Sequence, residues 1–173
     1  MIILPVRVGE LLGDVDDTRA ALLALDFAEY ALDVQADALD PRLYAVCRAY
    51  TSAAREAVGP GRAPERLVRA SDEFFTVGTE FPGHSAVTGV AEWAVRIGCQ
   101  EMLEAAGALS PASRIKVTVR DVATRVQSDL GRWYAQQTPD DPNRAKADRA
   151  ARWEEARRQL LHIITTEPNP HTS

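Results

Sequence analysis

Residues 16–41 read DDTRAALLALDFAEYALDVQADALDP, and this stretch decides the fold class. Asp16 or Asp17 supplies a cap for the free N–H groups of a helix start and suits the positive end of its dipole. Asp40-Pro41 closes the segment, because a residue before proline avoids the α region, while proline suits a first helical turn. A first helix is therefore predicted from Asp16 or Asp17 to about Ala38. Leu23, Phe27, Tyr30 and Val34 form one stripe on it, and Leu25, Ala28, Leu32 and Leu39 occupy the far side. Asp26, Glu29, Asp33, Asp37 and Asp40 are spaced 3, 4, 4 and 3 apart. At about 100° per residue they fall within an arc of roughly 80°. The helix is apolar around most of its girth and acidic along one narrow ridge.

Outward from this helix, proline and glycine punctuate the chain. Pro41 opens a second helix that reaches Val58 and ends at Gly59-Pro60-Gly61. Pro64 opens a third, to Gly78, with Leu67, Ala70, Phe74 and Val77 on one face, followed by a break at Phe81-Pro82-Gly83. A fourth covers about Ser85 to Ala106, with Gly107 as its C′ glycine. Ser110-Pro111 reads as cap and first helical position of a fifth helix, to about Gln137. The opening of that helix, Ile115 to Arg120, alternates like a strand. The longer series Ile115, Val119, Val122, Val126, Leu130, Trp133 favours a helix throughout. Thr138 to Pro142 is a loop, and a sixth helix runs from about Asn143 to Thr165 with Trp153, Ala156, Leu160, Ile163 and Ile164 on one stripe. Residues 1–13, apolar and broken by Pro5, Gly9 and Gly13, read as an extended N-terminal arm packing on the body, and residues 167–173 as a flexible tail. The expectation is an all-α, single-domain bundle of about six helices over residues 1–166, mostly antiparallel because the connections are short.

The 173 residues suffice for one core without metals or disulfides. Aromatics make up only 6%, so Ala, Leu and Val must fill that core, which favours closely spaced helices. Cys47 and Cys99 lie in apolar-periodic segments and read as buried, reduced thiols. The N-terminus is broken too early by Pro5 to be a signal segment, and no apolar run approaches the roughly 20 residues that cross a bilayer. The expected location is cytoplasmic.

Charge is segregated along the chain. Residues 14–40 carry eight acids and one base, against a net charge of −5 for the whole chain. Residues 144–158 carry six bases and three acids. Like charges at i,i+4 cost a few tenths of a kcal/mol per pair. The ridge of Asp26, Glu29, Asp33, Asp37 and Asp40 thus reads either as a solvated face, turned towards the last helix or to water, or as a docking surface for a basic partner protein. A metal site is not expected: acids along one ridge do not converge on one ion, and no acid lies three residues before a histidine. The acidic balance argues against nucleic-acid binding, and the mixed charge of the last helix against a membrane surface.

Catalytic motifs are absent from the sequence: there is no nucleophile elbow, zinc-protease helix or phosphate-binding glycine loop. His84, at the mouth of the fourth helix, together with Glu80, marks the one candidate ligand pocket, helped by Gly89 and Gly98 within that helix. His162 suits the C-terminal end of the last helix. Trp93, Trp133 and Trp153 sit at helical core or rim positions. No cofactor is expected.

Ala28-Glu29, the run Asp40-Pro-Arg-Leu-Tyr-Ala-Val46, then Ala53-Ala-Arg-Glu-Ala57 and the late Arg152-Trp153 with Arg157 and Leu160-Leu161 resemble small helical immunity proteins of bacterial toxin systems. The resemblance implies a non-enzymatic protein that binds and masks a toxin, for which an acidic ridge is suited if the toxin is basic. Three readings follow: an interaction domain using the ridge, a small-molecule-binding or catalytic bundle with a pocket near His84, and a homo-oligomer joined through a leftover apolar face.

Overall fold

Pro41 and Pro64 open helices, and Gly78 and Gly107 stand at helix ends, as the sequence implies. A computed structural model describes residues 4–58, 64–137 and 143–166, the side chains of Leu4, His84 and Ser85 excepted. Among the described residues the chain forms seven α-helices: α1 Leu4–Leu12, α2 Asp17–Val34, α3 Pro41–Val58, α4 Pro64–Gly78, α5 Ser85–Ala105, α6 Val119–Gln136 and α7 Arg144–Thr166. There are no strands among them, and the chain is an all-α single-domain bundle. The breaks expected at Gly59-Pro60-Gly61 and Thr138 to Pro142, and the expected flexible tail, lie outside the described residues.

α2 is the central helix. Asp16 caps it by accepting from the Arg19 backbone N–H at 3.1 Å. Its apolar girth is covered by α3, α5 and α6, with Leu23, Leu25, Phe27, Ala28 and Leu32 all buried. The helix ends at Val34, not Ala38, and a 3-10 turn, Ala36–Ala38, leads to α3. α5 crosses close to α2 and α3 at Gly98: a Cβ there would lie 2.7 Å from both the Ala21 Cβ and a Val58 methyl. Gly107, at φ 74°, takes the left-handed conformation that closes α5.

Two expectations are corrected. The N-terminal segment is a helix, not an extended arm. Pro5 stands in the first turn, where its missing N–H is harmless. Val8 and Leu12, one turn apart, are buried against α6 and α7, and that burial offsets the cost of Gly9. The fifth expected helix does not start at Ser110. That serine caps only the 3-10 turn Pro111–Ser113, and α6 begins nine residues after it, at Val119. The strand-like alternation from Ile115 marks a segment stretched along α5. Arg96 donates to the Ser113 carbonyl at 2.9 Å, the Ile115 N–H donates to Gln100 at 3.1 Å, and Arg114 pairs with Glu104. A reciprocal capping box between Thr118 and Asp121 then fixes the α6 start.

α6 and α7 run antiparallel, locked by a buried amide pair. Gln127 Nε2 donates to Gln159 Oε1 at 2.8 Å, and Gln159 Nε2 donates to the Ala123 carbonyl and to Glu155. Such a satisfied polar network fixes one register between two helices.

Candidate functional site

The acidic ridge divides into two parts. Asp26, Glu29 and Asp33 belong to α2, Asp37 lies on the 3-10 turn, and Asp40 directly precedes α3. The inner part faces α3. Arg55 Nη2 donates to Asp26 Oδ1 at 2.6 Å and to Glu29 Oε2 at 2.9 Å. Arg48 pairs with Glu29 at 3.5 Å and with Asp33 at 3.7 Å. Tyr44 donates its hydroxyl to Asp33 at 2.8 Å. The last helix reaches the ridge through His162, whose Nε2 lies 2.8 Å from Asp26 Oδ2. These contacts run in opposite order along α2 and α3, so the two helices are antiparallel.

Electrostatics follow from this clamp. Burial works against the charge of Arg55, but its bonds to Asp26 and Glu29 outweigh that, so its pKa is raised above the ordinary arginine value. The bond to the Asp33 carboxylate raises the Tyr44 phenol. Three ridge acids thus meet two arginines, and the repulsion along the ridge is answered within the chain.

The outer part is freer. Asp33 and Asp37 are exposed at the C-terminal end of α2, where the negative end of the helix dipole adds to their charge. Asp40 is half-buried and its carboxylate accepts from the Arg42 backbone N–H at 2.8 Å, capping α3. Arg42 turns its guanidinium to Glu80 at 2.6 Å, so Glu80 is engaged beside this acidic end.

A cleft of about 370 Å³ opens where the ends of α2, α5 and α6 meet, lined by Gly83, Ala86, Gln35, Asp129, Arg132 and Trp133 among others. Asp129 is buried and paired with Arg125 and Arg132. The indole N–H of Trp133 is buried with no acceptor among the described residues. His84 ends the turn Pro82–His84 beside this cleft, and its side chain lies outside the described residues. Glu80 does not line the cleft.

Comparison with protein-family models, curated proteins and solved structures finds no match. The site therefore has to be read from its own geometry.

Cys47 and Cys99 are buried free thiols, and burial pushes them up to about 12 and about 11. A thiolate nucleophile is not accessible to either at neutral pH. Among the described residues no group of three or more His, Cys, Asp or Glu is placed to hold a metal ion. No described helix is long and apolar enough to cross a membrane.

Sequence reasoning found the ridge and missed the residues that hold it. Tyr44, Arg48 and Arg55 are spaced 4 and 7 apart, which places them on one face of α3. That complementary stripe was legible. His162 was not, because its contact with Asp26 spans 136 positions.

Proposed function

We propose that the protein is a non-enzymatic interaction domain that docks a basic partner protein on the acidic end formed by Asp33, Asp37 and Asp40. The observation that carries this reading is the exposure of Asp33 at the edge of the Arg48–Arg55 clamp and of Asp37 beyond it. Asp26 and Glu29 support the surface from within and hold α2 on α3. The resemblance to immunity proteins fits a masking role, with a basic toxin as the partner. Exposed charge of this kind speeds encounter and selects partners, and it is screened over about 10 Å at 0.1 M salt. The test is affinity capture of the partner at low and high ionic strength. Capture lost as salt rises supports the reading, and capture that ignores salt opposes it.

A second reading rests on the cleft beside α5. A ligand offering a hydrogen-bond acceptor to the Trp133 indole and polar groups to Gln35 and Arg132 would suit it, the indole turning to meet that acceptor. Thermal-shift screening of small polar compounds tests this, with hits lost in Arg132→Ala counting for the cleft and hits kept counting against it.

A further inference from the structure

α7 presents a second, independent surface. Ala147, Ala150, Glu154, Arg157, Leu161 and Ile164 are spaced 3, 4, 3, 4 and 3, the a and d positions of a heptad pattern. This stripe lies opposite the buried face of α7, which carries Glu155, Ala156, Gln159 and Ile163. Its two halves differ. In the first half Ala147 and Ala150 line a groove of about 680 Å³ walled by Tyr30, Tyr134 and Leu130. In the second half Leu161 and Ile164 stand out, 52% and 60% exposed.

The geometry points to a second copy of this chain as the occupant of that groove. The two copies pair α7 to α7 antiparallel, about a two-fold axis between Glu155 and Ala156. One register then satisfies the whole stripe. Leu161 of each copy sits on Ala150 of the other, and Ile164 sits on Ala147. The Glu154–Arg157 pair of each copy, 3.6 Å apart within its own chain, faces the other copy's pair so that Glu154 meets Arg157 twice. Antiparallel coiled coils pair a with d in this way, and alanines opposite large residues let the helices approach closely. The match is self-complementary, as a two-fold interface requires, because the knobs, the alanines they sit on and both charges come from one helix. Trp153, 49% exposed, flanks the stripe. Neither Asp33 nor Asp37 lines this groove, so the interface and the proposed docking of a basic partner are tested separately.

Sedimentation velocity over a wide range of protein concentration tests the interface and its register together. Wild type is expected to pass from monomer to dimer. Leu161→Asp, at an exposed position that leaves the bundle intact by circular dichroism, removes the dimer. Glu154→Arg places like charges opposite each other twice and weakens association by about tenfold or more. Glu154→Arg combined with Arg157→Glu restores it. Mixing Ala150→Cys protein with Leu161→Cys protein gives a disulfide-linked heterodimer under oxidation, because the native thiols are buried. A wild type that stays monomeric at every concentration, a dimer indifferent to Leu161→Asp, or a double charge swap no better than Glu154→Arg alone overturns the proposal.

Discussion

His162 Nε2 stands 2.8 Å from Asp26 Oδ2, while Arg55 holds the other oxygen of the same carboxylate at 2.6 Å. One carboxylate on the central helix thus ties α7 and α3 to α2, and the imidazole also meets the Phe27 ring edge-on. Both side chains are partly exposed, so the pair contributes modestly. His162→Ala is expected to lower stability by about 1 kcal/mol. A double-mutant cycle with Asp26→Asn is expected to give a coupling of about 0.5–1 kcal/mol. Denaturant unfolding measures both, and additive single effects would mean that the two groups do not interact.

The two inner glycines of α5 should respond in opposite directions. Gly98→Ala forces a methyl within 2.7 Å of Ala21 and Val58, and overpacking of this kind costs about 1–3 kcal/mol. A Cβ at Gly89 meets nothing within 4 Å, so Gly89→Ala should stabilise by up to about 1 kcal/mol through helix propensity. Thermal melts of the two variants read the contrast directly, and equal shifts would argue against the close helix crossing at Gly98.

Gln127 and Gln159 satisfy each other in the buried seam between α6 and α7. Gln159→Leu strands the Gln127 amide and should cost about 1–3 kcal/mol. Gln127→Leu with Gln159→Leu should recover part of that loss. A double variant worse than the sum of the singles would show that the amides do more than satisfy one another.

Most helix boundaries were legible because local chemistry sets them. Pro41 and Pro64 begin helices, and Gly78 and Gly107 stand at helix ends, as the sequence implies. Two elements escaped that logic. α1 is a helix because Val8 and Leu12 bury against distant segments, and Pro5 and Gly9 read alone suggest a broken arm. The segment before Val119 is extended because Arg96 and Gln100 of α5 hold its backbone, bonds that side-chain periodicity does not show. The ridge was visible as a pattern. The division between its clamped acids and its outer acids depends on α3 lying alongside, which is a tertiary fact.

Alkaline pH should weaken the fold through its buried thiols. The ordinary thiol value is near 9, and burial raises Cys47 to about 12 and Cys99 to about 11. The folded state keeps these protons where the unfolded chain gives them up. The associated stability is therefore complete below about pH 9 and is lost as pH rises towards 11 and 12. The buried Tyr50 phenol, raised for the same reason, adds to the loss. Cys47→Ala should flatten the fall of stability above pH 9, although it lowers stability at neutral pH. An unchanged alkaline slope would remove the thiol from this account.

The division of the ridge is tested most directly by comparing two variants for partner capture and melting temperature side by side. Asp33→Lys with Asp37→Lys reverses the outer charges, and Asp26→Asn with Glu29→Gln empties the clamp. The account predicts that the first loses the basic partner and melts only slightly lower, through the exposed contacts of Asp33 with Arg48 and Tyr44, while the second keeps the partner and melts lower still. Capture that survives reversal of Asp33 and Asp37 would contradict the proposed docking surface.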